Sequence, residues 1–312
     1  MRSTRYILCG LLSFISLSLS GKSNNEGSDV IKLRKSHSHY VFNSKINDKS
    51  ETTVLLESGI PAMLADSAFV FSKGILAEYT LIATKGEKIN LGGKIYNISY
   101  KTNGAVKISD NVSYNGEIFI LPNYAKDYEV ALPIQMLNNE IDRNSRIVHL
   151  SLSDNEFKML SKRELRKLKE GCDRYRMNTE SYMEMPSIKT EILIDYSDST
   201  RSLQGNFVID FGNPELLFLM DQNIDVQNFI KENPDIKLRA ARNPKGDIIA
   251  QFMFADRCKI CEAEFTDAVI LITKALPRFT STGNLGLKFF RSFDVIFDFD
   301  RNYMYITKDP GI

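Results

Sequence analysis

The sequence predicts an all-β protein built as two β-barrel-like lobes related by a pseudo-twofold axis. Three observations carry this. First, one stretch occurs twice: residues 54–64 read VLLESGIPAML and residues 207–217 read FVIDFGNPELL. At an offset of 153, Glu57 falls on Asp210, Gly59 on Gly212 and Pro61 on Pro214. In each copy an apolar run of strand formers reaches an acid-x-Gly turn, and the proline beyond it forbids simple continuation. Second, the repeat goes on. Residues 132–137, LPIQML, match 285–290, LGLKFF, at the same offset, and 148–155, VHLSLSDN, match 295–302, VIFDFDRN, at an offset of 147. Third, short apolar segments separated by Gly and Asn pairs fill the space between the matches, the spacing of a sandwich or barrel-like fold. A carboxylate at the end of a buried strand is costly unless something uses or satisfies it. Two in matched positions imply a duplicated fold whose acids face each other.

Bulk properties set the frame. The chain has 312 residues, 43% apolar and 25% charged, with a formal net charge of +1. That balance gives no electrostatic footprint for nucleic acid or an anionic membrane. Residues 1–20 have the pattern of a signal peptide: Arg2 and Arg5, an apolar run over 6–19, and small residues at 18–20 before cleavage at about Gly21. The run is too short to span a bilayer comfortably, and no later run reaches spanning length. The expectation is an exported protein, secreted or periplasmic, with no stable membrane span once the signal is removed. Cys172, Cys258 and Cys261 then remain, an odd number that makes no disulfide framework. Cys258 and Cys261 form a lone CxxC, read as a local bridge or two thiols in a hairpin rather than a zinc or redox site.

Taken in order, residues 21–39 are polar and read as a flexible leader. Its His37 and His39 are assigned to a mobile tail, not to a metal. Residues 40–46 read as a strand, 47–50 as a turn, and 52–56 as the return that delivers Glu57. From 75 to 121 the pattern stays β, with segments 94–100, 105–108 and 117–121 and turns expected at Gly92-Gly93, Asn103-Gly104 and Asn115-Gly116. Ser153 and Glu156 mimic a helix capping box. The matching region 295–306 alternates like strand-turn-strand, so 147–160 is predicted to be a hairpin. A short helix follows at 162–170, capped by Ser161 and Glu164 and closed by Gly171. It lies in a linker, 161–185, between a first lobe at 40–160 and a second at 186–312. In the second lobe, 206–210 is the acid-bearing strand, 226–232 a short helix, and 236–241 with 247–254 a hairpin expected to be a flap over a cleft. Residues 264–273 form another strand.

These residues resemble the pepsin-like and retropepsin-like aspartic peptidases, of the kind bacteria export as a single two-lobed chain. The matched elements are the two acidic turns and the closing segment, Gly283-Asn284-Leu285-Gly286 with Phe293-Asp294-Val295-Ile296-Phe297-Asp298. The resemblance implies the acid-protease fold over roughly 40–310. It also implies peptide hydrolysis by two carboxylates sharing one proton and holding one water, with no cofactor and no metal. Carried onto this chain, Asp210 and Glu57 are the catalytic pair. Asp210 is ionised and activates the water, and Glu57 is protonated. Ser58, Gly59, Phe211, Gly212 and Asn213 support the turns. The turns are degenerate: Glu57 is one methylene longer than aspartate, Phe211 has no hydroxyl, Ile60 and Asn213 stand where a hydroxyl residue often orients the acid, and Pro133 replaces a glycine. The reading is therefore an exported, monomeric aspartic-peptidase-like protein acting on a peptide or protein substrate. The alternative is a catalytically impaired pseudo-peptidase that binds extended peptides or a protein partner in the interlobe cleft.

Overall fold

The computed structural model describes residues 30–91, 94–124, 127–142, 145–180, 185–274 and 279–307. The expected signal segment and the Gly92-Gly93 turn lie outside them. The chain is mainly β, and the sequence repeat appears as a repeated strand arrangement. In the first lobe His39–Ile46 turns back through Asn47 and Asp48, at φ of 50° and 57°, into Ser50–Glu57. Val130–Pro133 lies parallel to that acid strand, with Leu132 opposite Leu56, and antiparallel to Met63–Asp66. Met63–Asp66 in turn runs parallel to Val112–Leu121. In the second lobe Gly283–Leu285 lies parallel to Ser199–Ile209, with Leu285 opposite Ile209, and antiparallel to Leu217–Met220. Leu217–Met220 runs parallel to Ala263–Thr273. In both lobes a later strand is thus inserted between the acid strand and the strand that follows its turn. Both acid strands end in consecutive buried residues, which fits their apolar runs. In the second lobe Met185–Tyr196 pairs with both Ser199–Ile209 and Ile248–Ile260, so the strand path closes on itself. The described path of the first lobe stays open.

The lobes are joined through backbone. Ile147–Ser151 pairs antiparallel with Asp294–Asp298, flanked by Glu156–Met159 on one side and Tyr303–Ile306 on the other. The expected hairpin at 147–160 is therefore present, and the capping-box likeness at Ser153 is a decoy. The helices Lys162–Leu168, with a complete Ser161–Glu164 capping box, and Ile224–Glu232 form where expected.

Three expectations are corrected, and one unforeseen helix is found. The leader is ordered from Val30 on: Val30–Lys32 pairs with Glu156–Met159, Arg34–Ser36 pairs with His39–Ile46, and Leu33 between them is buried. The stretch expected to be a linker holds sheet structure, because Asp173–Glu180 pairs with both Met185–Tyr196 and Tyr303–Ile306. Arg174, Arg176, Asn178 and Thr179 are exposed, while Tyr175 and Met177 pack against the core. Asn103-Gly104 and Asn115-Gly116 are not turns. Gly104 and Gly116 sit opposite each other within the pair Tyr100–Lys107 and Val112–Leu121. A Cβ at Gly104 would lie 2.7 Å from the Tyr79 ring, and one at Gly116 2.9 Å from the Tyr114 hydroxyl. These glycines admit close aromatic neighbours rather than reverse the chain. Finally, a helix at Ser67–Lys73, capped by Asp66 and ended by Gly74 at φ 61°, interrupts a stretch with no helical expectation.

Cys258 and Cys261 lie in a hairpin as thiols, with Cys261 at φ 53° in its turn. Among the described residues no helix is long and apolar enough to cross a membrane.

Candidate active site

The two acid turns meet where the lobes touch. Glu57 is the last residue of its strand and is buried; Asp210 follows Ile209 at the end of its own. The Gly212 amide joins the two. It donates to Glu57 Oε1 at 2.9 Å and to Asp210 Oδ1 at 2.9 Å, so one N–H bridges carboxylates from different lobes. Glu57 Oε1 also accepts from the amides of Ser58 and Gly59, both at 2.8 Å. Asp210 Oδ2 accepts from Asn284 Nδ2 at 2.7 Å.

The turns are held to each other unequally. Ser58 Oγ donates to Ile209 O at 2.8 Å and accepts from Phe211 N at 3.0 Å, clamping the second turn from the first. By the pseudo-twofold, a hydroxyl at position 211 would do the same in return. Phe211 has none. Its ring is buried and packs edge-on against Phe290, with centroids 5.1 Å apart, and against Phe297 at 6.1 Å. Phe211 therefore supports the site through its amide, and through its ring belongs to the core. Asn213 organises its own turn: its Oδ1 accepts from Glu215 N at 2.9 Å and its backbone carbonyl accepts from Leu287 N at 2.8 Å.

Burial and mutual repulsion set the charge state. Desolvation, then the nearby Asp210 charge, pushes the Glu57 carboxyl up to about 7, against the three amide donors that lower it. Burial also raises Asp210, opposed by Asn284, by the Gly212 and Asn213 amides and by the nearness of His39. Two acids this close share a proton over the intervening pH range. Glu57 Oε1 is filled with donors, so the proton belongs on Oε2.

Both acids line a cavity of about 480 Å³. Tyr96, Tyr124 and Tyr128 line it as a run of rings, successive centroids 5.6 and 5.8 Å apart, and Met185, Phe218 and Phe279 line it as well. The expected flap is corrected. The hairpin of Leu238–Arg242 with Ile248–Ile260 does not reach this cavity. Asn90, Leu91 and Tyr96, from the first-lobe hairpin of Lys88–Leu91 with Lys94–Asn97, do.

Sequence reasoning placed Glu57, Asp210, Ser58, Gly59, Gly212 and Asn213 together, as the fold does. It missed three residues. Asn284 stands inside the Gly283–Leu285 motif, where a polar residue between buried neighbours was the signal. Gln135 is buried and donates to Ser58 O at 3.3 Å and Ile60 O at 3.0 Å, bracing the first turn. His39, read as part of a tail, lines the cavity, and its Nδ1 is buried. Among the described residues no cluster of His, Cys, Asp and Glu is arranged to hold a metal ion.

No protein-family model matches the sequence, and no curated protein matches it closely enough to relate the two. The fold does match solved structures. The aspartic proteinase from Irpex lacteus aligns over 90% of this chain and 97% of its own, with a TM-score of 0.54 and 10% identity. The chain therefore has a pepsin-like fold, and at that identity the likeness extends to the fold alone.

Proposed function

We propose that the protein is an exported peptidase that hydrolyses peptide bonds with the Glu57–Asp210 pair and an activated water. The observation that carries this reading is the Gly212 amide, 2.9 Å from a carboxylate oxygen of each lobe, at a cavity of about 480 Å³. A pair held by one donor can hold one water between the acids. Asp210, kept anionic by Asn284 Nδ2, takes a proton from the water as its oxygen attacks the scissile carbonyl carbon. Glu57, protonated on Oε2, donates to the carbonyl oxygen as it becomes tetrahedral. Asp210 then gives its proton to the amine nitrogen as the C–N bond breaks, and Glu57 recovers a proton from a hydroxyl of the tetrahedral intermediate as the carbonyl re-forms, which restores the pair. The substrate is an extended segment of peptide or unfolded protein, gripped by the Tyr96, Tyr124 and Tyr128 rings and by Met185 and Phe279, and covered by the Lys88–Asn97 hairpin. The protein acts as a monomer, without cofactor or metal, outside the cytoplasm.

The one-sided clamp at Phe211 favours a second reading, a pseudo-peptidase that binds such segments and leaves them intact. Cleavage of an unfolded-protein mixture across pH separates the two. The peptidase reading expects cutting that stops in Asp210→Asn and in the presence of a statine-type transition-state mimic. Binding of peptide with no cutting at any pH would replace it with the second reading.

A further inference from the structure

Three departures from symmetry meet at one hydrogen bond. In the second turn Asp210 accepts from Gly212 N, two residues on, and the Phe211 amide goes across to Ser58 Oγ. In the first turn Glu57 accepts from Gly59 N in the same way. The Ser58 amide, which should cross to a hydroxyl at 211, instead turns back 2.8 Å to Glu57 Oε1. Ser58 is fully buried, so without that acceptor its N–H would have no partner. An aspartate carboxylate at 57 reaches the amide two residues on, as Asp210 does. The added methylene of glutamate lets one oxygen take the amides of Ser58, Gly59 and Gly212 together.

We propose that Glu57 is required at this position because its carboxylate replaces the hydroxyl that Phe211 lacks, so that residues 57 and 211 are a coupled pair and Glu57 holds the Ser58 amide as well as serving the dyad. The assignment rests on the dyad reading for its effect on rate. Its structural content, the Ser58 amide on the Glu57 carboxylate, is independent of whether the protein cuts anything. It also reverses a simple expectation drawn from aspartic peptidases, that Glu57→Asp would repair a misfitted site. Shortening the side chain strands the Ser58 amide and pulls the carboxylate back from the Gly212 amide that ties it to Asp210.

The test is hydrogen exchange of the Ser58 amide, followed by NMR, in four full-length proteins beside peptide cleavage. Glu57→Asp is expected to lose at least tenfold in Ser58 protection, with cleavage down on the order of a hundredfold. Glu57→Gln keeps an oxygen at the same reach, so it keeps the protection and abolishes cleavage. Adding Phe211→Thr to Glu57→Asp supplies the missing hydroxyl and is expected to restore the Ser58 protection, with cleavage regained at least tenfold over Glu57→Asp. Phe211→Thr alone, with the acceptor role already filled, leaves the Ser58 protection unchanged relative to its own global stability, which falls because the buried ring is lost. Unchanged Ser58 protection in Glu57→Asp would overturn the proposal. If the double variant fails to fold, the Glu57→Asp and Glu57→Gln pair still decides it. A wild type that never cuts, yet shows this exchange pattern, would remove the peptidase reading and leave the coupling intact.

Discussion

Gly59 and Gly212 each face the carboxylate of the opposite lobe. A Cβ on Gly59 would stand 2.6 Å from Asp210 Oδ1, and one on Gly212 2.6 Å from Glu57 Oε2. Each glycine is thus open because the other lobe's acid occupies the space. Gly59→Ala or Gly212→Ala must push the acids apart. Either is expected to abolish cleavage and to cost about 1–3 kcal/mol in urea unfolding. A Gly59→Ala protein with full activity would mean that the acids do not approach as described.

The pH dependence of cleavage follows from the shared proton. Above about 7 Glu57 ionises, the pair loses its proton and activity falls. At the acid end Asp210 takes up a proton and the base is lost. Because burial raises Asp210, that limb lies higher than an ordinary aspartate would set it. A kcat/KM profile should therefore be a bell confined to acidic and mildly acidic pH.

Stability should show the same group with the opposite substitution. Glu57 titrates from a usual value of 4.5 to about 7 in the fold, so the folded state holds this proton more tightly than the unfolded chain. Stability is whole below about 4.5 and declines as pH rises through 7. Glu57→Gln cannot ionise. It should match the wild type near pH 4 and exceed it by about 3 kcal/mol at pH 8. Denaturant unfolding at the two pH values measures the difference.

Asn284 Nδ2 is the side-chain donor that favours charged Asp210. Asn284→Ala should shift the acid limb of the bell upward and lower kcat on the order of tenfold, with a smaller effect on KM. An unmoved acid limb would take Asn284 out of the catalytic arrangement.

Export is expected to remove the charged and apolar start of the chain. Mass spectrometry of the mature protein from its native host should find an N-terminus close to Gly21. An intact Met1 on a cytosolic protein would contradict the proposed location.

The duplication was legible because backbone symmetry leaves a periodic trace: acid, glycine and proline recur at one offset, and LPIQML and LGLKFF, where each inserted strand ends and a short helical turn follows, recur with them. Where the trace failed, two structures share one signature. Asn-Gly marks hairpin turns, but Gly104 and Gly116 use the missing side chain to admit Tyr79 and the Tyr114 hydroxyl. Polar stretches read as loops, but Asp173–Glu180 exposes one face and pairs along both edges. Arg34–Ser36 became part of a sheet through His39–Ile46, and this brought His39 to the cleft. The interplay of Glu57 and Phe211 had no sequence signal, since each departure alone looks like damage.

The inserted strands have a consequence for when the protein becomes competent. Ile209, beside Asp210, is paired with Leu285, and Ile147–Ser151 pairs with Asp294–Asp298. No growing chain can complete the first arrangement before residue 285, or the second before residue 298, has left the ribosome. Pairings so distant along the chain form late and slowly. A nascent polypeptide therefore carries Glu57 without the ordered partner that would arm it, and a chain truncated ahead of Gly283 lacks the strand that pairs beside Asp210. Synthesis order thus delays the full pairing around the two acids until residues 283–298 have been made.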